Sequence, residues 1–192
     1  MISAQLFHNL NKYARITTDD FAVIESKLSK KFVKKRKALL MEGDVSRYVY
    51  FVEKGALRSY TVDKEGTEHV VQLVVEEHWI GDLCSFVSQS AGNINIEAIE
   101  DSEVLLLAHH DLEMLYEQIP QLERFFRQLF QRAYVSLQQW HNAAQSEHAE
   151  ERYQQLIKEH PHIAARIPLI YIASYLGITP ESLSRIRKQL FS

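Results

Sequence analysis

Short apolar runs alternate with turn residues in the middle of the chain. The runs are rich in β-branched and aromatic side chains and comprise Tyr48–Val52, Ala56–Val62, His69–Val75, Ile94–Ile99 and Glu103–Ala108. Four of the six glycines fall between residues 43 and 81, where they separate these runs. Glycine and its acidic neighbours tolerate the positive φ angles of tight turns. This pattern predicts an antiparallel β sandwich or barrel over residues 38–108.

The period of the apolar residues changes to 3.6 after Asp111, and Pro120 stands where a helix would begin. A strip with 4-3-4-3-4 spacing follows, consisting of Phe126, Phe130, Ala133, Leu137, Trp140 and Ala144. Leu122, Phe125 and Leu129 form a second, offset strip. Either both strips pack on the β unit, or the 4-3 strip contacts the same helix of a second subunit as a short coiled-coil seam.

The segment from Leu169 to Lys188 has the residue types of a helix-turn-helix. Ala173 is small enough for a second helix to cross, and Gly177 can adopt the positive φ that ends the first helix. Thr179 can cap the second helix and Pro180 suits its first turn. The remaining apolar positions of this segment, Ile172, Leu176, Ile178, Leu183 and Ile186, would form the small core.

The second helix leaves a polar and basic face outside that core. The residues predicted to contact DNA are Thr179, Glu181, Ser182, Ser184, Arg185, Arg187 and Lys188. Residues 164–192 carry four basic side chains against one acidic side chain, a local charge of +3. Such a helix is predicted to enter the major groove of double-stranded DNA with its N-terminal half.

Composition limits the remaining classes of function. The net charge of the 192 residues is −3, which excludes binding of nucleic acid by bulk charge alone. The single cysteine, Cys84, cannot form an internal disulfide and is expected to be a small core residue. No apolar window approaches a membrane span and no secretory signal is visible, so we expect a cytoplasmic protein without membrane contact.

Other patterns carry less weight. The nine histidines lack the spacing of a metal site, and no nucleophile elbow, P-loop or dinucleotide fingerprint occurs, so neither a metal nor an enzymatic activity is predicted.

Seven basic residues lie between Lys27 and Lys37. They form either a solvated strand edge that discourages strand addition, or a contact with DNA or RNA polymerase.

Two segments carry a resemblance to the Crp/Fnr superfamily of transcription regulators. They are ALLMEGDVSRYVYFVEKGALRSYTVDKEGTEHVVQLV (38–74), followed by Trp79-Ile80-Gly81-Asp82, and ITPESLSRIRKQL (178–190). The resemblance implies an α+β fold with an N-terminal antiparallel jelly roll of the cyclic-nucleotide-binding type, a long dimerisation helix and a C-terminal all-α helix-turn-helix domain. The implied domains are 1–117, 118–145 and 146–192.

The resemblance also implies a homodimeric, sequence-specific DNA-binding regulator. Glu181 and Arg185 match the family's Glu and Arg, four residues apart, which contact bases. Pro180 stands where the family often has an Arg, so the operator should differ at one base pair. The sequence stops at Phe191-Ser192, so we expect no C-terminal β-hairpin wing. The alternative is a sensor or interaction module with this fold that acts through protein partners.

Family members that bind cyclic AMP use a Gly-Glu pair for the ribose and an Arg-Ser or Arg-Thr pair for the phosphate. Gly81-Asp82 matches the first pair, but Gly92 and Asn93 occupy the second, and no Lys or Arg occurs between Lys64 and Arg124. Cyclic AMP is therefore not predicted as a cofactor. A different effector would meet Trp79, Gly81, Asp82, Cys84, Ser85 and Asn93; alternatively, Asp82 only caps backbone amides.

Overall fold

The structure, a computed structural model, describes residues 3–190. Helices α1 (Ala4–Asn11) and α2 (Thr18–Ser26) precede a β sandwich. Its strands are β1 (Leu28–Val33), β2 (Ala38–Leu40), β3 (Tyr48–Lys54), β4 (Leu57–Val62), β5 (Glu68–Val74), β6 (Trp79–Ile80), β7 (Asn95–Ala98) and β8 (Ser102–Ala108), with helix α3 (Leu83–Ser88) before β7. The helices that follow are α4 (His109–Gln118), α5 (Pro120–Ser146), α6 (Ala149–Glu159), α7 (Pro161–Arg166), α8 (Leu169–Tyr175) and α9 (Pro180–Leu190).

The strands form two antiparallel four-stranded sheets. The first has the order β1-β8-β3-β6 and the second the order β2-β7-β4-β5. Alternate side chains of both sheets, among them Val52 and Val104 of the first and Leu57 and Ile96 of the second, are fully buried in one cluster between them. The predicted α+β architecture with an N-terminal β sandwich is confirmed.

The strand β1 was not predicted, because its basic residues hide the alternation. Its residues 29–32 are exposed, and it pairs with β8 on one side only, so it is the edge of the first sheet. Lys30 of β1 pairs with Glu103 of β8 at 2.6 Å, and Lys27 pairs with Asp111 at 3.4 Å. The basic cluster therefore lies along a solvated strand edge and the turn that follows it.

The outer face of the first sheet is covered by helices. Phe51 and Leu105 of this sheet pack against α1 and α2, which were not predicted, and against α4 and α5. Phe125 and Phe126 of α5 enter the same core, where their rings meet at 5.3 Å. The start of the long helix is thereby fixed to the sandwich.

The helical half follows the predicted order. Pro120 is the first residue of α5, as predicted, and it is followed by α6 over 149–159 and by a short helix, α7, that begins at Pro161. The expected absence of a wing concerns Phe191 and Ser192, which lie outside the described residues. Among residues 3–190, no helix has the length and apolar character that a membrane span requires.

The turn between β3 and β4 depends on Gly55. Its φ is +100°, and a Cβ built there would lie 2.7 Å from the Cα of Ser102. Gly55→Ala should therefore lower the free energy of unfolding by about 3 kcal/mol, from combined backbone strain and overlap. Gly66→Ala is the control, because Gly66 also has a positive φ but has open space around it, and it should cost about 1 kcal/mol. Chemical denaturation measures both, and equal losses would contradict the role of Ser102.

Candidate nucleic-acid interface and sensor site

Helices α8 and α9 form the predicted helix-turn-helix corner. Ala173 and Leu183 are both fully buried where the helices cross, and Ile178 packs half-buried against the same cluster. Gly177 has a φ of +69°, and the N–H of Ile178 donates to the Ala173 carbonyl at 3.0 Å. These contacts close the turn and fix the direction in which α9 leaves it.

The first turn of α9 is capped by Thr179. Its Oγ1 accepts from the N–H of Ser182 at 3.2 Å, and Pro180 occupies the first helical position. The side chains of Glu181, Ser184, Arg185 and Lys188 are exposed, and this group is called the recognition face below. Ser182 is half-buried, and its Oγ accepts from Arg185 Nη2 at 3.3 Å. Arg187 is half-buried, away from the recognition face.

Arg152 of α6 connects the helix-turn-helix to the long helix, a role that the sequence pattern did not indicate. Its Nη2 donates to the carbonyl of Leu176 at the end of α8, at 2.8 Å, and its Nη1 donates to the carbonyl of Glu147 at 3.0 Å. Carbonyls at helix ends lack partners within their helix. Arg152 therefore satisfies both ends and holds α8 against the α5–α6 junction.

Asp82, the proposed centre of the effector pocket, caps α3. It is buried, and its Oδ1 accepts from the N–H of Ser85 at 3.0 Å. The hydroxyl of Ser85 is also engaged, because it donates to the Ser90 carbonyl at 2.5 Å and accepts from the N–H of Ser46 at 2.9 Å. A Cβ at Gly92 would overlap Asp82 and lie 2.9 Å from the Ser85 Cβ. The loop therefore closes onto Asp82, as the capping interpretation expected.

Trp79, Cys84 and Asn93, which were also proposed for the pocket, do not enclose a site with Asp82. Trp79 lies among aromatic side chains beneath α5, where its ring meets that of Phe126 at 5.1 Å and its Nε1 donates to Asn9 Oδ1 at 3.1 Å. Cys84 is exposed on α3, which corrects the expectation of a core cysteine, because its neighbours Ser85 and Phe86 take the inward positions. Asn93 is exposed as well.

A cleft of about 730 Å³ lies between the sandwich and α5. Trp79 and Gly81 of the proposed pocket line one wall, and Phe130 and Ala133 of α5 line another. Asp82, Cys84, Ser85 and Asn93 do not line this cleft. Within residues 3–190, no group of three His, Cys, Asp or Glu side chains could hold a metal ion.

The 4-3 strip of α5 divides between two environments. Phe126 is buried in the core of its own chain, and Trp140 stacks on Tyr175 of α8 with ring centroids 4.3 Å apart. Partners within the chain therefore cover Phe126 completely and Trp140 in part, since Trp140 is half-buried. Ala133, Leu137 and Ala144 are exposed, and Phe130 is half-buried.

Three comparisons with known proteins bear on this arrangement. The family model of the cyclic nucleotide-binding domain matches residues 30–119. The fumarate and nitrate reduction regulatory protein of Yersinia pestis is 28% identical over 170 residues, covering 82% of this chain and 66% of that protein. FixK2 from Bradyrhizobium japonicum superposes with a TM-score of 0.76 at 22% identity, covering 85% of this chain and 84% of FixK2. A transcriptional regulator of the Crp/Fnr family from Eubacterium rectale gives a TM-score of 0.67 at 18% identity, covering 90% and 82%.

The chain is similar to regulators of the Crp/Fnr superfamily in sequence and in fold, and its residues 30–119 match the cyclic nucleotide-binding domain. It spans about two thirds of the length of the Yersinia relative, 66% by the matched segment. The two solved structures, at 22% and 18% identity, support the shared fold of sandwich, long helix and terminal helices.

A further contact joins α7 to the sandwich. Arg166 donates two hydrogen bonds to the Glu76 carboxylate, both at 2.8 Å, and also pairs with Glu100. Partial burial would raise the pKa of Glu76, but the bonds from Arg166 and from the N–H of Gly55 outweigh it and lower the pKa to about 2 from 4.5.

This ion pair predicts a specific dependence of stability on pH. A carboxyl whose pKa is lowered in the folded state stabilises the fold above its unfolded pKa of 4.5, and this stabilisation is lost as the pH falls towards 2. Arg166→Gln should therefore lower the free energy of unfolding at pH 7, and the difference from the unaltered chain should shrink below pH 4.5. Chemical denaturation at several pH values measures it. A difference that stays constant down to pH 2 would contradict this origin.

Proposed function

We propose that the chain is a cytoplasmic, homodimeric, sequence-specific DNA-binding transcription regulator. The observation that carries the proposal is the recognition face of α9, which is exposed on a capped helix whose direction the Ala173–Gly177–Leu183 corner fixes. Arg185 can donate two hydrogen bonds to a guanine, and Glu181 can accept from a cytosine amine. The residues predicted from the sequence are proposed to contact bases or phosphates, with Thr179 and Ser182 acting through the cap and Arg187 acting from the flank of the helix. They are Thr179, Glu181, Ser182, Ser184, Arg185, Arg187 and Lys188.

The proposed partner of α5 is a second copy of the chain. Its exposed apolar side chains include Tyr134, Val135 and Leu137, which are 61%, 49% and 59% exposed. Tyr134 and Leu137 continue the surface of Phe130 and Ala133, which also line the cleft beside Trp79, whereas Val135 lies on another face of the helix. A second α5 packed along this surface would cover it, and it would place two recognition faces on one side of the dimer. The proposed seam is therefore Phe130, Ala133, Leu137 and Ala144.

Cyclic AMP is not the proposed effector. The polar groups of Ser85 are engaged within the chain, and Gly92 leaves no side chain to meet a phosphate. An enclosed phosphate without a cation keeps most of its desolvation cost. For the basic cluster from Lys27 to Lys37, which lies along the β1 edge and the turn after it, a contact with DNA or RNA polymerase is the alternative to a solvated edge.

Selection of bound sequences from random duplex DNA, without added ligand, tests the proposal. A recovered palindrome is expected, with half-sites about 34 Å apart along the duplex. The affinity for this operator should fall steeply with salt, with a log–log slope near −0.9 for each phosphate contacted. Added cyclic AMP should leave the affinity unchanged. No enrichment, with or without effector candidates, would favour the alternative of a sensor that acts through proteins.

A further inference from the structure

The helix-turn-helix rests on the outer face of the second sheet. Val70, Leu73 and Ile99 of the sandwich share one buried cluster with Ile172 and Ala173 of α8. Strand β5 is the edge of that sheet, so one row of its backbone groups has no strand beside it. Helix α8 lies against this edge, and the contact involves polar as well as apolar groups.

Ser174 of α8 occupies the place of a neighbouring strand at one point of the β5 edge. Its hydroxyl accepts from the N–H of Val70 at 3.0 Å and donates to the carbonyl of Glu68, also at 3.0 Å. One hydroxyl thus satisfies two backbone groups of the edge, as a paired strand would. This geometry fixes where along β5 the helix can sit, because a shift by one residue would leave both groups without this partner.

A buried arginine adds a second fixed point. Arg58 of β4 is 3% exposed, and its guanidinium lies between two rings, 4.1 Å from the centroid of Tyr60 and 4.2 Å from that of Tyr171. Its Nη1 also pairs with Glu68 at 2.5 Å and its Nη2 with Glu97 at 3.3 Å. Among these partners, Tyr171 alone comes from α8. Its ring covers one face of the guanidinium.

This contact leaves the recognition face uncovered. The side chains of Glu181, Ser184, Arg185 and Lys188 are exposed while Tyr171 and Ser174 engage the sandwich. The contact therefore does not mask the proposed DNA-binding surface. Because α9 packs directly on α8 through Leu183 and Ala173, fixing α8 on β5 also fixes the direction of α9 relative to the sandwich.

We propose that the contact of Tyr171 and Ser174 with the β4–β5 hairpin sets the separation and relative rotation of the two recognition helices, and so determines the half-site spacing that the dimer accepts. This inference rests on the proposed function as a DNA-binding dimer. One added base pair rotates a half-site by about 35° and moves it by about 3.4 Å. A dimer with fixed recognition helices must distinguish such a change, whereas loosely tethered helices need not. Tyr171 and Ser174 are positioning residues in this scheme, since neither is on the recognition face.

The test uses the selected operator and a series of duplexes with the same half-sites and spacers longer or shorter by one or two base pairs. Fluorescence anisotropy gives the affinity of the unaltered chain and of Tyr171→Ala/Ser174→Ala for each duplex. The unaltered chain should bind the duplex with one spacing about tenfold or more tightly than the other duplexes. The variant should lose about tenfold in affinity for that duplex and should bind the whole series with nearly equal affinity. Ile170→Ala is the matched control, because Ile170 lies on α8 but is 60% exposed.

Binding to a duplex with a single half-site separates this role from a loss of folding. The variant should retain the single-site affinity of the unaltered chain within about twofold, because that affinity depends only on α9 and its corner. A variant that keeps the spacing preference of the unaltered chain would overturn the inference, and so would a loss of single-site binding equal to the loss at the operator. If the unaltered chain binds no duplex, the proposed function fails, and this inference falls with it.

Discussion

Replacing Arg185 with alanine is expected to weaken binding to the selected operator by about 1 to 3 kcal/mol and to relax the preference at one base pair. The guanidinium is exposed on the recognition face, where its Nη2 donates to the Oγ of Ser182 at 3.3 Å. It can turn to a guanine without breaking a buried network. The loss should be confined to the base pair it reads, since phosphate contacts by neighbouring residues carry no sequence information.

Competition titrations with operators altered at single positions measure this effect. Gln189→Ala is the matched control, because Gln189 is exposed on α9 but lies outside the predicted contact set. Arg185→Lys should behave more like the alanine variant than like the unaltered chain, because an ammonium group cannot make the planar pair of hydrogen bonds. If Arg185→Ala weakened all operators equally, Arg185 would be a phosphate contact and its assigned role would be wrong.

The helix-turn-helix could be predicted from the sequence because its determinants are local. Gly177, Thr179 and Pro180 act within the turn and cap in which they stand, and the structure places them as the pattern indicates. The runs of strand residues were recognisable for the same reason, since glycine turns separate them. In β1 the basic side chains obscured the pattern, because an edge strand can expose most of its residues to solvent.

Tertiary partners were not predictable from periodicity. Phe126 and Leu137 belong to the same 4-3 strip, but Phe126 is buried against the aromatic cluster around Trp79, whereas Leu137 is 59% exposed. A repeat of apolar residues predicts that a helix surface is covered, but it does not identify the element or subunit that covers it. Trp79 illustrates the same limit. Its place near Gly81-Asp82 in the sequence suggested a shared pocket, but successive side chains at a strand end point to opposite faces of the sheet.

The contacts that join α6, α7 and α8 to other elements depend on polar residues that no sequence pattern distinguishes. Ser174 is one serine in an apolar helix, and its function appears only when the edge of β5 lies beside it. Arg152 and Arg166 resemble solvated basic residues of amphipathic helices, although each satisfies carbonyls or carboxylates of another element. When helices pack closely, an arginine on the polar face of an amphipathic helix is therefore not reliably exposed to solvent.

Replacing Leu137 with glutamate is expected to convert the dimer to monomers. In a symmetric seam the substitution places two carboxylates close together in an apolar contact, which should cost about 3 kcal/mol or more and raise the dissociation constant by roughly 100-fold. Leu137 is the most suitable position, because Phe126 and Trp140 of the same strip support the fold of their own chain. Sedimentation velocity over a range of concentrations measures the oligomeric state.

Gln139→Glu is the matched control, since it adds the same charge to an exposed position of α5 away from the strip. It should leave the dimer intact. The monomer formed by Leu137→Glu should still bind a single half-site but lose the gain in affinity that a palindrome gives to two linked recognition helices, which amounts to about 100-fold or more. Dimers of Leu137→Glu that persist at the concentrations where Gln139→Glu is dimeric would place the interface elsewhere. Palindrome binding would then have to be explained by contacts outside α5.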